Sequence, residues 1–179
     1  MNENPYYRTE QLILHICRKL ESNEKFGSTL LNKILYYADN YYYVLKGKPI
    51  TELTYVKQKR GPTPEPATFL KIRESLIESG KANIKEVEYF GKMQKRLIAN
   101  TEPDLTCFTG DEIAFIDSII DILKENNATS ISELSHEELS WKVAKPLEKL
   151  PFYTYLLSTE EVTENDLSWA RKQIAEVNV

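Results

Sequence analysis

The residues best suited to recognition or chemistry are concentrated in Tyr36–Tyr43, which holds five tyrosines in eight positions. Tyrosine supplies a large amphipathic contact area at small entropic cost, and its hydroxyl donates or accepts hydrogen bonds. At about 100° per residue, Tyr41 and Tyr42 fall in the aliphatic stripe of a predicted helix, with Tyr37 at its edge. A second face is aromatic and polar, and its members are Asn32, Tyr36, Asp39, Asn40 and Tyr43.

This second face has two interpretations. Either the helix is packed on both sides and the phenols hydrogen-bond inside the domain, or the face binds a partner. A nearby basic edge, Lys57, Lys59 and Arg60, could hold an acidic partner or a phosphate, or could solvate a strand edge and prevent sheet association. The partner hypothesis names seven binding residues: Asn32, Tyr36, Asp39, Asn40, Tyr43, Lys57 and Arg60.

His136 follows Ser135 at the start of a predicted helix, five residues before Trp141. The structural interpretation is that the imidazole bonds a nearby carbonyl or carboxylate and the indole lies in the core. A catalytic interpretation gives His136 an acid–base role with Glu137 or Glu138, which requires these side chains to converge in a pocket.

Other signatures of catalysis are absent from the sequence. The six glycines lie far apart, so no phosphate-binding loop can be built, and the two histidines lack a metal-ligand spacing. Cys17 and Cys107 form no CxxC pair and are expected to be buried thiols in a reducing cytoplasm. We therefore expect no enzyme, no metal and no cofactor.

The 179 residues carry a formal net charge of −4, which argues against nucleic acid as a partner. No apolar run approaches the ~20 residues needed to span a bilayer, so we expect no membrane association and a cytoplasmic location. An apolar fraction of 41% is sufficient for a hydrophobic core.

Local patterns predict the elements that position these residues. In the first half of the chain, the patterns predict one helix from Arg8 or Thr9 and a second helix that is capped by Ser28 and ended by Gly47. An extended segment, Thr51–Lys59, and a third helix over about 65–79 follow. A β-hairpin is predicted around Gly91–Lys92. In the second half, capping boxes predict helix starts at Thr109, Ser130, Ser135 and Thr163, the last helix covering about 163–177. We predict one compact domain over residues 1–179, mainly α (α+β), with a small β-hairpin or three-stranded antiparallel sheet.

Residues 130–150 loosely show the apolar pattern of a helix-turn-helix, which makes a DNA-binding transcriptional regulator the alternative function. Four glutamates against three lysines in this segment count against that alternative. Pro146 also counts against it, because a proline would break a recognition helix.

Three blocks of the sequence are similar to those of the SocA-like, or Panacea, antitoxin domain, which also occurs among phage-associated proteins. The blocks are Leu31–Asp39, then Gly47–Thr51 with Tyr55–Lys57 and Gly61–Pro64, and finally Leu134–Glu137 with Trp141–Ala144. Their order and spacing match from about residue 8 to residue 157.

The resemblance implies a largely helical domain that acts as an antitoxin and neutralises a cognate protein toxin by direct binding. For some members it implies an adaptor that delivers the toxin to a cellular protease. Within the matching blocks, a structural role is expected for Lys33, Tyr37, Gly61, Pro62, His136 and Trp141.

Overall fold

The computed structural model describes residues 4–157, 163–165, 168–169 and 171–172. The helices in this part of the chain are α1 (Tyr7–Lys19), α2 (Ser28–Lys46), α3 (Pro66–Glu78), α4 (Gly110–Leu123), α5 (Ala128–His136) and α6 (Leu139–Val143). The strands are β1 (Tyr55–Gln58), β2 (Gly61–Pro64), β3 (Ala82–Tyr89) and β4 (Lys92–Ala99), and two short 3-10 helices cover Leu105–Cys107 and Phe152–Leu156. The predicted α+β class is confirmed, with two separate two-stranded sheets.

Helix α2 is buried on both sides. Ile34 and Tyr36 point about 200° apart on the helix, yet both are almost completely inaccessible to solvent. The helix contacts α1, α4, α5 and β2. The helix ends as predicted at Gly47, which adopts a left-handed conformation with φ 71°. At its start, Gly27 and not the predicted Ser28 occupies the N-cap position, and Ser28 is the first helical residue.

The extended segment predicted at 51–59 contains β1, which pairs with β2 across a turn at Lys59–Arg60. Strand β2 was not expected, because Pro62 and Pro64 lack backbone N–H groups. Both prolines stand at alternate positions of the strand, so the missing donors lie on the edge away from β1. The other edge of β1 is covered by residues 147–150 through an antiparallel bridge and flanking backbone hydrogen bonds.

The predicted hairpin is confirmed as β3 and β4, with Ala82 opposite Ala99 and Tyr89 opposite Lys92. Its turn lies at Phe90–Gly91, one residue earlier than expected. Both turn residues have positive φ, 49° and 69°, because a two-residue turn of this kind matches the right-handed twist of the two strands.

Helix caps in the second half differ from the predicted ones. The Thr109 capping box is confirmed, but the boxes at Ser130 and Ser135 are wrong. Asn127 accepts from the backbone of residues 129 and 130 and thereby starts α5 earlier, while Ser135 lies inside α5. The helix predicted at 163–177 lies largely outside the described residues. None of the helices in the described ranges is long and apolar enough to cross a bilayer.

Candidate functional site

Asp39 anchors α2 to the segment that leads into β1. Its buried carboxylate accepts hydrogen bonds from Ile50 N (2.9 Å), Thr51 N (2.8 Å), Thr51 Oγ1 (2.5 Å) and Tyr55 Oη (2.6 Å). Burial raises the pKa of Asp39 to about 6, and these four hydrogen bonds oppose the rise. Because every acceptor position of the carboxylate is occupied from within the chain, the role of Asp39 is to connect α2 to residues 50–55.

Glu138 forms a second polar centre beneath α2. Tyr36 Oη donates to Glu138 Oε2 at 2.5 Å, and the Tyr37 hydroxyl lies close to the same carboxylate. Burial raises the pKa of Glu138, although the Tyr36 hydrogen bond and the nearby Lys33 ammonium favour its charged form. Glu138 Oε1 is buried and has no hydrogen-bond partner among the described residues.

Lys33 is completely buried, and its Nζ donates to the Pro62 carbonyl at 2.7 Å. Burial lowers the pKa of Lys33 to about 7, against the opposing effect of Glu138. Gly61, at φ 91°, lies against the same ammonium and against Ser135 Oγ. The expected structural role of Lys33, Gly61 and Pro62 therefore has a physical basis in one buried contact region.

Three of the seven predicted binding residues, Tyr36, Asp39 and Asn40, are buried, because α2 is covered on this side as well. Tyr36 is only 1% exposed, and Asn40 Nδ2 donates to the Tyr36 carbonyl at 2.8 Å inside the domain. Asn32 is half-buried, with its Oδ1 buried and unpartnered within the described ranges. Of the phenols on this helix, those of Tyr36 and Tyr37 are directed inward to Glu138.

His136 and Trp141 belong to a stacked structural cluster. Their rings are stacked at 4.0 Å between centroids, and Trp141 Nε1 donates to the Gln58 carbonyl at 3.1 Å. Lys57 Nζ lies 4.4 Å from the Trp141 ring centroid. Across the described residues no hydrogen bond joins His136 to Glu137 or Glu138, so the geometry does not support the acid–base interpretation.

Residues 130–150 do not present a recognition helix. Helix α6 has only five residues, and its Trp141 is turned toward the β1–β2 hairpin. The chain after α6 runs along β1, where Leu147 N donates to the Lys57 carbonyl at 2.9 Å. This geometry gives no support to the DNA-binding alternative.

Of the two tyrosines among the predicted binding residues, Tyr36 is buried, whereas Tyr43 is half-buried and lines a cleft at the surface. Its ring is stacked on Phe152 at 5.5 Å, beside a cleft of about 290 Å³ that we call the Tyr43 cleft. The lining residues are Tyr43, Thr54, Tyr55, Lys149, Leu150, Pro151, Phe152 and Tyr153. Among them Tyr153 is 64% exposed, and Leu156 on the same 3-10 helix is also exposed.

The sequence patterns do not predict the contribution of residues 151–157 to the cleft and to the packing against α2. The apolar run from Phe152 to Leu157 was the available signal, but only its contact with α2 shows which side chains stay at the surface. Of the other two predicted binding residues, Arg60 is exposed at the hairpin turn and Lys57 is half-buried. The structure thus brings Tyr43 to the surface and separates it from Tyr36.

The fold and the site define a mixed α+β domain with a buried polar centre and an exposed aromatic cleft. A family model described as "Antitoxin SocA-like, Panacea domain" matches residues 31–142, more than half of the chain. The chain belongs to this family, whose name supports an antitoxin role and a protein partner in general. The comparison with curated proteins found no match, and neither did the comparison with solved structures.

Proposed function

We propose that this chain neutralises a cognate protein toxin by binding it directly, with the Tyr43 cleft at the centre of the binding surface. The family assignment supports the antitoxin role. The observation that carries the choice of surface is the cleft itself, an aromatic concavity whose lining includes the exposed Tyr153. Exposed apolar groups around a concave site are typical of protein contacts.

The surface is preorganised for binding. Tyr43 is held by its stack on Phe152, and Phe152 by its edge contact with Tyr55. Aromatic rings that are already immobile lose little entropy when a partner covers them. Covering apolar surface contributes about 25 cal/mol per Å², so a few anchors at the centre can carry most of the affinity.

We propose occlusion as the mode of neutralisation, in which the bound antitoxin covers the toxin's active surface. Delivery of the toxin to a cellular protease is the alternative. The two modes differ in the amount of toxin that persists in the cell. Occlusion leaves the level of toxin unchanged, whereas delivery lowers it and depends on the protease.

Co-expression tests the proposal. The candidate toxin is the product of the adjacent reading frame, which should arrest growth alone and be harmless together with this chain. Tyr153→Ala combined with Leu156→Ala should abolish rescue and co-purification of the two proteins, because both side chains are exposed on the 3-10 helix that supplies Phe152 and Tyr153 to the cleft. Phe90→Ala, which removes an 89% exposed aromatic from the β3–β4 turn, is the matched control and should leave rescue intact.

Circular dichroism and thermal unfolding of the double variant establish that its fold is retained. Rescue by a folded double variant would contradict the choice of surface. Failure of the unmodified chain to rescue growth would contradict the antitoxin role for that toxin. Immunoblots of the toxin during rescue separate occlusion from delivery.

A further inference from the structure

Positive charge is concentrated in two short stretches of this acidic chain. Residues 57–60 and 142–149 contain six cations and one carboxylate, although the whole chain has a net charge of −4. The rest of the chain is therefore more acidic than the whole. We call these two stretches the basic platform; its cations are Lys57, Lys59, Arg60, Lys142, Lys145 and Lys149.

Backbone pairing joins the two stretches into one surface. Lys57 N donates to the Glu148 carbonyl and Leu147 N donates to the Lys57 carbonyl, both at 2.9 Å. Lys57 Nζ also donates to the Ala144 carbonyl at 2.8 Å. These hydrogen bonds and the bridge between Val56 and Lys149 hold the two stretches side by side.

Four of the six cations form no ion pair with the described residues, although Lys149 is near enough to the Glu65 carboxylate to help lower its pKa. Lys57 is engaged by backbone carbonyls and Trp141, and Lys142 pairs with Glu137 at 2.8 Å. The Glu148 carboxylate accepts from Lys145 N at 2.6 Å and is directed at the backbone. The exposed cations of the platform that form no ion pair with any residue in the described ranges are Lys59, Arg60, Lys145 and Lys149.

Leu147 is a backbone outlier within the platform. It has φ 64°, a left-handed conformation that a bulky L-residue rarely adopts, and it is 66% exposed. The hydrogen bond from its N–H to the Lys57 carbonyl holds this conformation. Residues with strained backbones cluster at binding sites. In this conformation the Leu147 side chain is exposed between Lys145 and Lys149 of the sequence.

We infer that the basic platform binds an acidic segment of the partner polypeptide, and that an apolar side chain of this segment enters the Tyr43 cleft. The inference rests on the proposed function, since it takes the partner to be a protein. Lys149 connects the two regions because it belongs to the platform and also lines the cleft. Carboxylates facing the four free cations would speed association and select the partner by charge complementarity.

A polypeptide fits this surface better than a single-stranded nucleic acid does. Nucleic-acid sites of that kind stack successive bases on a series of free aromatic faces. The Trp141 ring is already contacted by His136 and Lys57, which leaves the exposed Tyr153 of the cleft as a single stacking position. The exposed apolar side chains of the platform, Val143 and Leu147, are aliphatic. The acidic remainder of the chain also repels a polyanion that extends beyond the platform.

A fluorescein-labelled synthetic peptide of aspartate and glutamate with one central leucine is the probe, and its anisotropy is measured with the full chain at low salt. We expect binding that weakens as salt is added. Arg60→Glu with Lys145→Glu should weaken binding roughly tenfold or more. Lys71→Glu with Lys85→Glu, at exposed positions outside the platform, makes the same change in net charge and should have little effect.

The inference is overturned if the acidic peptide does not bind at low salt, or if both charge-reversed pairs weaken it equally. It is also overturned if a single-stranded RNA of the same length binds more tightly and displaces the peptide. A peptide with alanine in place of leucine should bind more weakly, and equal binding would remove the cleft from the site. Peptide binding without rescue of growth refutes the proposed function alone, whereas rescue without peptide binding refutes this inference alone.

Discussion

The ammonium group of Lys33 lies so close to Gly61 that residue 61 has no room for a side chain. A Cβ at this position would come within 2.3 Å of Lys33 Nζ and 2.1 Å of Ser135 Oγ. Lys33, Gly61 and Ser135 each come from a different one of the three sequence blocks. The blocks therefore meet at one buried point, where α2, β2 and α5 are packed together.

Gly61→Ala should lower the free energy of unfolding by about 3 kcal/mol, because it adds a clash to an unfavourable left-handed backbone. Gly47 provides the matched control, since it has φ 71° but no atom within 4 Å of a new Cβ. Gly47→Ala should cost only about 1 kcal/mol. Urea unfolding measures both values. Equal losses would show that the contact with Lys33 and Ser135 is unimportant.

Buried Lys33 should make stability depend on pH above neutrality. Its pKa is about 7 in the folded chain, against 10.5 for an unperturbed lysine. Between these values the unfolded chain binds more protons, so the free energy of unfolding should rise with pH. Urea unfolding from pH about 7 to about 9 tests this below the range in which tyrosines ionise. Lys33→Met should flatten the slope, and an unchanged slope in the variant would assign it to another group.

Tyr36→Phe should destabilise the fold by about 1–3 kcal/mol, because it removes the donor to the buried Glu138 carboxylate. Tyr43→Phe is the control, since the Tyr43 hydroxyl forms no hydrogen bond with the described residues and its ring remains stacked on Phe152. Its effect should stay within about 0.5 kcal/mol. Thermal unfolding compares the two variants. A larger loss for Tyr43→Phe would contradict the structural ranking of these tyrosines.

Cys17 should react very slowly with thiol reagents in the folded protein. Burial raises the pKa of its thiol to about 12, so little thiolate is present near neutral pH. Half-buried Cys107 is removed by Cys107→Ser to leave a single thiol. Labelling of this variant at pH about 8 should be about 100-fold slower, or more, in buffer than in urea. Similar rates would show that the environment of Cys17 opens readily.

Several elements could be predicted because they depend on neighbours in the chain. The end of α2 at Gly47, the Thr109 capping box and the β3–β4 hairpin all follow from local backbone preferences. The prediction was wrong where two candidate N-caps lie close together: Asn127 caps α5, and Ser130 lies inside the first turn of that helix. Prolines in β2 likewise concealed a strand whose missing donors face away from its partner.

The sequence by itself determined which side chains share a face of α2 and that three motif blocks occur in the order of an antitoxin family. Only the tertiary structure decided which of those faces is covered. Tyr36 meets Glu138 and Lys33 meets Pro62 across separations of 102 and 29 residues, so their burial depends on distant parts of the chain. Helical periodicity records the direction of a side chain relative to its own helix, and it contains no information about what packs against it. The cleft beside Tyr43 and the basic platform therefore became visible only after residues 142–157 had been placed against α2 and β1.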